Sequence, residues 1–323
     1  MTAILSICIP TYNRSKCLGE CLSSIFASVV GHESEVEIII SDNASTDDTQ
    51  NVIRAFHEMH PWIRCHRNEQ NIGAERNFYL LATLAQGENI WIFGDDDKME
   101  ASAIPIVLDN IRAGYGLTIC NYSLWDSRFV VQKKKFGLPG KRDQAFVDMN
   151  DLMKCFGLHL GYISAVIIKR SLFFKLPPDE YESLVEYGFS FLYAVYTGVV
   201  KGACKVSYIV EPLICNRGGN SGGYDWYKYF VTGSSLVFDR SLSNGYTQSA
   251  VLAAKHQVLR DFVIPNFVSM RLLENGSERK KVTGLLFRHY NKNWLFWVVC
   301  APVLIVPSFV LHLAKKIRMV TRR

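Results

Sequence analysis

A chain of 323 residues, 49% hydrophobic and 20% charged, can bury a full core, which excludes a disordered tail and predicts one elaborate domain with an appendage, or two domains. The net charge of +6 hides an asymmetry: residues 1–130 hold 9 Lys and Arg against 17 Asp and Glu, or −8, and the remainder carries +14. The acidic part suits a cation and the basic part an anionic partner, and with no zinc-finger, homeodomain or RNP-type pattern that partner is read as a membrane surface rather than nucleic acid.

The first strand is predicted over residues 4–9 and stops at Pro10. Apolar positions at helical spacing (Leu18, Leu22, Ile25, Phe26, Val29) predict a helix over 17–30. A second strand follows over 36–40, a polar loop over 41–48, and a helix over 49–59 whose start is marked by Ser, Thr and Asp capping residues. A short strand over 63–66 and a helix over 77–85 lead to a strand over 89–93, then Gly94 and three consecutive carboxylates, Asp95, Asp96 and Asp97. This alternation predicts a mostly parallel sheet with helices on both faces. The three carboxylates would then lie at its carboxyl edge, where open α/β sheets bind ligands. Such a cluster repels itself unless a cation is present, and Mg²⁺ is usually held by one or two carboxylates plus substrate phosphates.

Beyond about residue 115 the pattern loosens. Strands are predicted over 117–122, 162–168 and 206–214, a basic loop over 132–143, a helix over 187–199, a glycine-rich loop over 216–223, and helical structure over 247–275. Residues 294–313 carry no formal charge apart from His312 and are flanked by basic residues on both sides. Their length could cross a bilayer. Positive charge on both sides, and Pro302 and Pro307 inside the run, favour a kinked, re-entrant or interface-lying anchor, with Trp294 and Trp297 at headgroup level. The predicted divisions are 1–115, 116–245 and 246–323, the last containing this segment. Nine scattered cysteines read as free thiols of a reducing compartment, and the absence of a basic leader and cleavage site predicts a cytosolic catalytic part.

Two loops after consecutive strands carry polar groups that a nucleotide-sugar needs: Pro10-Thr11-Tyr12-Asn13-Arg14, and Ser41-Asp42-Asn43-Ala44-Ser45-Thr46-Asp47-Asp48. Asp42 can accept from a base N–H and Tyr12 can cover a base face. These runs, with Asn68-Glu69-Gln70-Asn71-Ile72-Gly73 and Gly94-Asp95-Asp96-Asp97, resemble in order and spacing the family 2 glycosyltransferases of the GT-A fold. The wording of the second and fourth runs is similar to abequosyltransferase-like members that build bacterial O-antigen. The resemblance covers about the first 115 residues.

It implies an α/β, Rossmann-like sheet flanked by helices, with a helical C-terminal region and a membrane-associating tail. The implied activity is metal-dependent, inverting transfer of a sugar from a nucleoside-diphosphate donor to a hydroxyl. The acceptor would be a lipid-linked oligosaccharide at the cytoplasmic face of a bacterial inner membrane. By position, Pro10, Thr11, Tyr12 and Asn13 would line base and ribose, with Asp42 and Asn43 beside the base. Asn71 and Arg76 would lie along the ribose-diphosphate path. Asp95 and Asp96 would contact the donor, and Asp96 and Asp97 would hold Mg²⁺ or Mn²⁺. Gly94 stands where the family's Asp-x-Asp-Asp motif has its first acid. Glu186 lies near the position of the general base, although Tyr187 replaces the second acid of that motif, and Glu182 and Asp179 are rivals. Arg217 and the glycines after it could close over a diphosphate. A sugar nucleotidyltransferase and an inactive scaffold are the alternatives. The first usually shows a glycine-rich basic signature after strand one, which is missing here, and the intact aspartate run argues against the second.

Overall fold

The computed structural model describes residues 3–219, 225–267, 276–307 and 310. Contacts divide the chain into two compact units, Met1–Leu152 with His159–Gly223, and Met153–Leu158 with Tyr224–Arg323.

The first unit is built on a mixed sheet. Its strands are β1 (Leu5–Thr11), β2 (Val36–Asp42), β3 (Arg64–Arg67), β4 (Asn89–Ile92), β5 (Lys98–Met99), β6 (Leu117–Trp125), β7 (Gln132–Lys134), β8 (Gln144–Phe146), β9 (Val166–Lys169) and β10 (Val206–Arg217). The order is β3-β2-β1-β4-β9-β6-β10-β5, with β7 beside β6 and β8 beside β10. From β3 to β4 all neighbours are parallel. These are the strands that alternate with helices in sequence, and β1, β2 and β4 are buried almost throughout, as parallel strands covered on both faces must be. In the second half β9 runs antiparallel to β4 and to β6, while β10 is parallel to β6.

Helices α1 (Ser15–Val29), α2 (Thr49–Met59), α3 (Ala74–Leu84) and α4 (Ala103–Arg112) follow the first strands. In α1, Leu18, Cys21, Leu22, Ile25 and Val29 form one buried stripe, and they share a core with Ile7, Ile9, Ile38, Ile40, Trp91 and Phe93 of the sheet. The register sets Thr11 opposite Asp42, so the loops after β1 and β2 leave the same edge. Immediately after the aspartates, β5 pairs antiparallel with Ile214 and Cys215 of β10. That clip brings the end of β10 onto the aspartate run.

Short helices α5 (Met149–Phe156) and α6 (Arg170–Phe173) precede α7 (Pro178–Val185) and α8 (Ser190–Lys201). The helix expected over 187–199 starts later, because Gly188 and Phe189 both take left-handed backbone, at φ 70° and 64°. Residues 190–199 of α8 are all buried, so no polar face marks its start. Of the strand expected over 162–168, only Val166 onward is extended; Ile163–Ala165 form a tight helical turn.

The second unit is helical, with α9 (Ser234–Ser241), α10 (Gln248–Val258), α11 (Gly276–Tyr290) and α12 (Ala301–Ile305). Wide π-helical turns occupy Tyr227–Gly233, Leu259–Val263 and Phe296–Cys300. Among the described residues no helix is long and apolar enough to cross a membrane. Residues 308–309 and 311–313 of the expected anchor, 268–275 of the expected helical stretch and 220–223 of the glycine-rich loop lie outside the described residues.

Candidate active site

The loops after β1, β2 and β3 are tied together by side-chain amides. Asn13, in left-handed backbone at φ 53°, accepts from the Thr46 N–H at 2.8 Å, and its own N–H donates to Ser45 Oγ at 2.9 Å. Asn43 is buried; it donates to Asn71 Oδ1 at 2.8 Å and accepts from Asn68 Nδ2 at 2.9 Å and the Ile72 N–H at 3.0 Å. Asp42 is fully buried, accepting from the Ser45 N–H at 2.9 Å and from Gln50 Nε2, with Arg67 Nε 3.5 Å away. Pro10 is partly exposed and Tyr12 exposed at the end of β1. Arg76, on α3, pairs with Glu182 of α7 through Nε at 3.0 Å, and both are solvent-exposed.

The three aspartates have three different environments. Asp95 is buried, accepting from Thr11 Oγ1 at 2.6 Å and Arg14 Nη1 at 3.1 Å. The same Arg14 nitrogen donates to Asp96 Oδ2 at 2.7 Å. Asp97 accepts four hydrogen bonds: Tyr162 Oη at 2.6 Å and Ser164 Oγ at 2.7 Å on one oxygen, Asn216 Nδ2 at 3.1 Å and the Arg217 N–H at 3.2 Å on the other. Burial pushes Asp95 up to about 6, against the pull of Arg14. Burial, aided by the neighbouring Asp96 carboxylate, pushes Asp97 up to about 7. Gly94 makes this crowding possible. A Cβ there would lie 3.0 Å from Asp97 Oδ2 and 3.2 Å from Ser164 Oγ.

Arg217 is buried and fully engaged: Nε donates to the Asp96 carbonyl, Nη1 to the Ser127 carbonyl and Nη2 to Glu20, each at 2.8 Å. Its guanidinium lies over the Phe129 ring, 4.3 Å from the centroid, and Lys98 Nζ lies 4.5 Å from the same centroid. A cleft of about 470 Å³ opens here, lined by Asp96, Asp97, Lys133, Tyr162, Asn216 and Arg217 among others. Carboxylates and Lys133 lining one cleft suit a cation and an anion bound together.

Residues 6–170 match the sequence profile of Glycosyl transferase family 2. The chain belongs to glycosyl transferase family 2. It is 28% identical over 227 residues to abequosyltransferase RfbV of Salmonella typhimurium, covering 67% of each chain. It is 29% identical over 112 residues, about a third of each chain, to the GalNAc(5)-diNAcBac-PP-undecaprenol beta-1,3-glucosyltransferase of Campylobacter jejuni. In fold it matches residues 1–349 of TarS from S. aureus, solved with UDP, at a TM-score of 0.64, 16% identity and coverage of 87% and 78% of the two chains. The fold is GT-A, and the protein is a glycosyltransferase.

Members of this family and fold commonly use a divalent metal. Among the described residues no group of three or more His, Cys, Asp or Glu could enclose an ion. A metal bridged to a diphosphate needs only one or two carboxylates. Asp96 meets that need, since it lines the cleft. Asp97 as placed has its acceptor positions filled by four protein donors. Glu186 follows α7 and is exposed, as is Asp179 in the first turn of that helix.

Sequence reasoning gave no role to Arg14, Glu20, Tyr162, Ser164 or Asn216. Arg14 closes the first loop's polar run, a usable signal. Tyr162 and Ser164 fall in a stretch that reads as an apolar strand, which hides their polar groups.

Proposed function

We propose that this family 2 glycosyltransferase moves a sugar, with inversion, from a nucleoside-diphosphate donor to a hydroxyl of a lipid-linked oligosaccharide during synthesis of a bacterial O-antigen or related surface polysaccharide. The observation that carries the reading is the cleft at the carboxyl edge of the parallel strands, where Asp96 and Lys133 face the same space. The acceptor in the name of the Campylobacter relative supports the acceptor class, and the name of the Salmonella relative supports sugar transfer. Pro10, Thr11, Tyr12 and Asn13 take base and ribose, with Asp42 and Asn43 behind them. Asn71 and Arg76 follow the ribose-diphosphate path.

Asp95, held by Thr11 and Arg14, supports the ribose side, and Asp96 anchors Mg²⁺ or Mn²⁺. When bound, that ion neutralises charge on the departing diphosphate. Asp97 is assigned a positioning role in place of direct metal ligation. It fastens Tyr162, Ser164 and the end of β10 around the cleft. Arg217 braces the loop after the aspartates by holding the Asp96 carbonyl. Glu186 is the proposed general base; Glu182 is less suited because its carboxylate is already engaged by Arg76. The site of action is the cytoplasmic face of the inner membrane.

The test is transfer of labelled sugar from a set of nucleotide-sugars to lipid-linked saccharides extracted from bacterial membranes. Label should enter the lipid fraction with one donor class and not with Asp96→Ala. Donor binding without any transfer would favour a scaffold.

A further inference from the structure

We infer that the C-terminal unit carries a docking face for an anionic phospholipid bilayer, formed by exposed aromatic and aliphatic side chains between Phe287 and Ile305 with a basic rim on α11. Residues 279–323 contain ten Lys and Arg and no Asp or Glu. Within α11, Val282, Leu286 and Tyr290 are buried on one side, while Lys280, Lys281, Phe287 and Arg288 are exposed. The following stretch, 294–305, has no charged residue at all. Phe296, Cys300 and Leu304, spaced by four, bury one stripe. The side turned away from that stripe is apolar too: Trp294 is 63% exposed, Trp297 51%, Val298 64% and Ile305 78%.

A helical segment that is apolar all round belongs in a core or in lipid. Here one face is packed and the other is open. The aromatic part is contiguous, for the Phe287 and Trp297 ring centroids are 6.1 Å apart and those of Phe296 and Trp297 5.1 Å. The Trp297 indole N–H donates to the Asn291 carbonyl at 2.8 Å, so its polar edge is satisfied internally and the ring offers apolar surface outward. Leu252, also exposed, shares a small cleft with Trp294 and Lys292 and extends the patch.

Exposed tryptophans beside a purely basic rim match an interfacial surface, which lies in the headgroup layer and is drawn there by anionic lipid. No helix among the described residues could span. The charge pattern separates this occupant from a second copy of the chain, because like basic rims facing each other would repel. The face complements the lipid-linked acceptor proposed above but rests on different residues.

The experiment is cosedimentation of the full chain with vesicles of phosphatidylcholine alone and of phosphatidylcholine mixed with phosphatidylglycerol. Wild type should sediment with the anionic vesicles, less with the zwitterionic ones, and less again at high salt. Trp294→Ala with Trp297→Ala, and separately Arg288→Ala with Lys292→Ala, should each weaken vesicle binding by roughly tenfold or more. The rise in melting temperature with a nucleotide-sugar should stay as in wild type for both variants, which keeps failure of this face distinct from failure of the donor site. Vesicle binding unchanged in both variants, or absent in a wild type that still binds donor, would overturn the inference. A wild-type dimer that the tryptophan variant dissociates, without lipid binding, would assign the face to a second copy instead.

Discussion

Removing Arg14 tests the charge balance of the cleft. Its guanidinium serves Asp95 at 3.1 Å and Asp96 at 2.7 Å, with the three side chains 31%, 7% and 19% exposed. Arg14→Met keeps most of the stem and deletes the charge. A hydrogen bond to a charged group contributes about 1.5–3 kcal/mol, so two would contribute about 3–6 kcal/mol if the site were dry and both acids stayed ionised. Two effects reduce this. Water reaching Arg14 screens the pairs. Asp95 can also take a proton, since burial already holds it at about 6 despite Arg14. A net loss of about 2 kcal/mol above neutral pH follows, or roughly 4–8 °C in Tm if the first unit melts cooperatively. Arg14 favours the ionised form of Asp95, so its contribution is present above about 6 and fades as pH falls through that value. Calorimetric melts of wild type and Arg14→Met should therefore diverge as pH rises from about 5 to about 8. A constant gap, or one that widens toward acid, would refute the reasoning.

Gly94→Ala puts a Cβ 3.0 Å from Asp97 Oδ2 and 3.2 Å from Asp96 Oδ1, so a loss of about 1–2 kcal/mol and weaker donor binding are expected by melting and calorimetric titration. Unchanged binding would show that the carboxylates are not packed over that glycine. Partly buried Glu75 accepts from the Phe191 N–H at 3.0 Å and Tyr181 Oη at 3.2 Å, and desolvation holds its carboxyl above the usual range. Its folded value exceeds its unfolded one, so stability present below the unfolded value is lost as pH rises through the folded one. In urea melts Glu75→Gln should flatten that slope, and an unaltered slope would put its origin elsewhere. Glu186→Gln should lower kcat about a hundredfold or more with the donor KM unchanged; full activity would move the base to Asp179 or Glu182.

The parallel half of the fold was legible because β1, β2 and β4 are mostly apolar runs, each followed by a polar loop and a helix with a readable period. The antiparallel insertion of β9 between β4 and β6 was not. Its partners lie far apart in sequence, and a strand of one Val, two Ile and one Lys fits either direction. In the site, the loops carrying Thr11, Asp42 and Asp95 were readable from their place after strands. The four donors around Asp97 come from Tyr162, Ser164, Asn216 and Arg217, and pairing of β10 with β6 and with β5 brings the last two there. Arg217 was expected, with the glycines after it, to close over a diphosphate. Its hydrogen bonds to Glu20 and two carbonyls depend on tertiary placement that no local pattern encodes.

The central claim is that the aspartate cleft binds a nucleotide-sugar through a metal on Asp96. It is tested most directly by thermal melts of wild type and Asp96→Ala with UDP-, CDP-, dTDP- and GDP-sugars, with and without Mn²⁺. The account predicts a rise in Tm for one nucleotide class that needs the metal and disappears in the variant, whose own fold is intact. An equal rise in Asp96→Ala, or one indifferent to Mn²⁺, would contradict it.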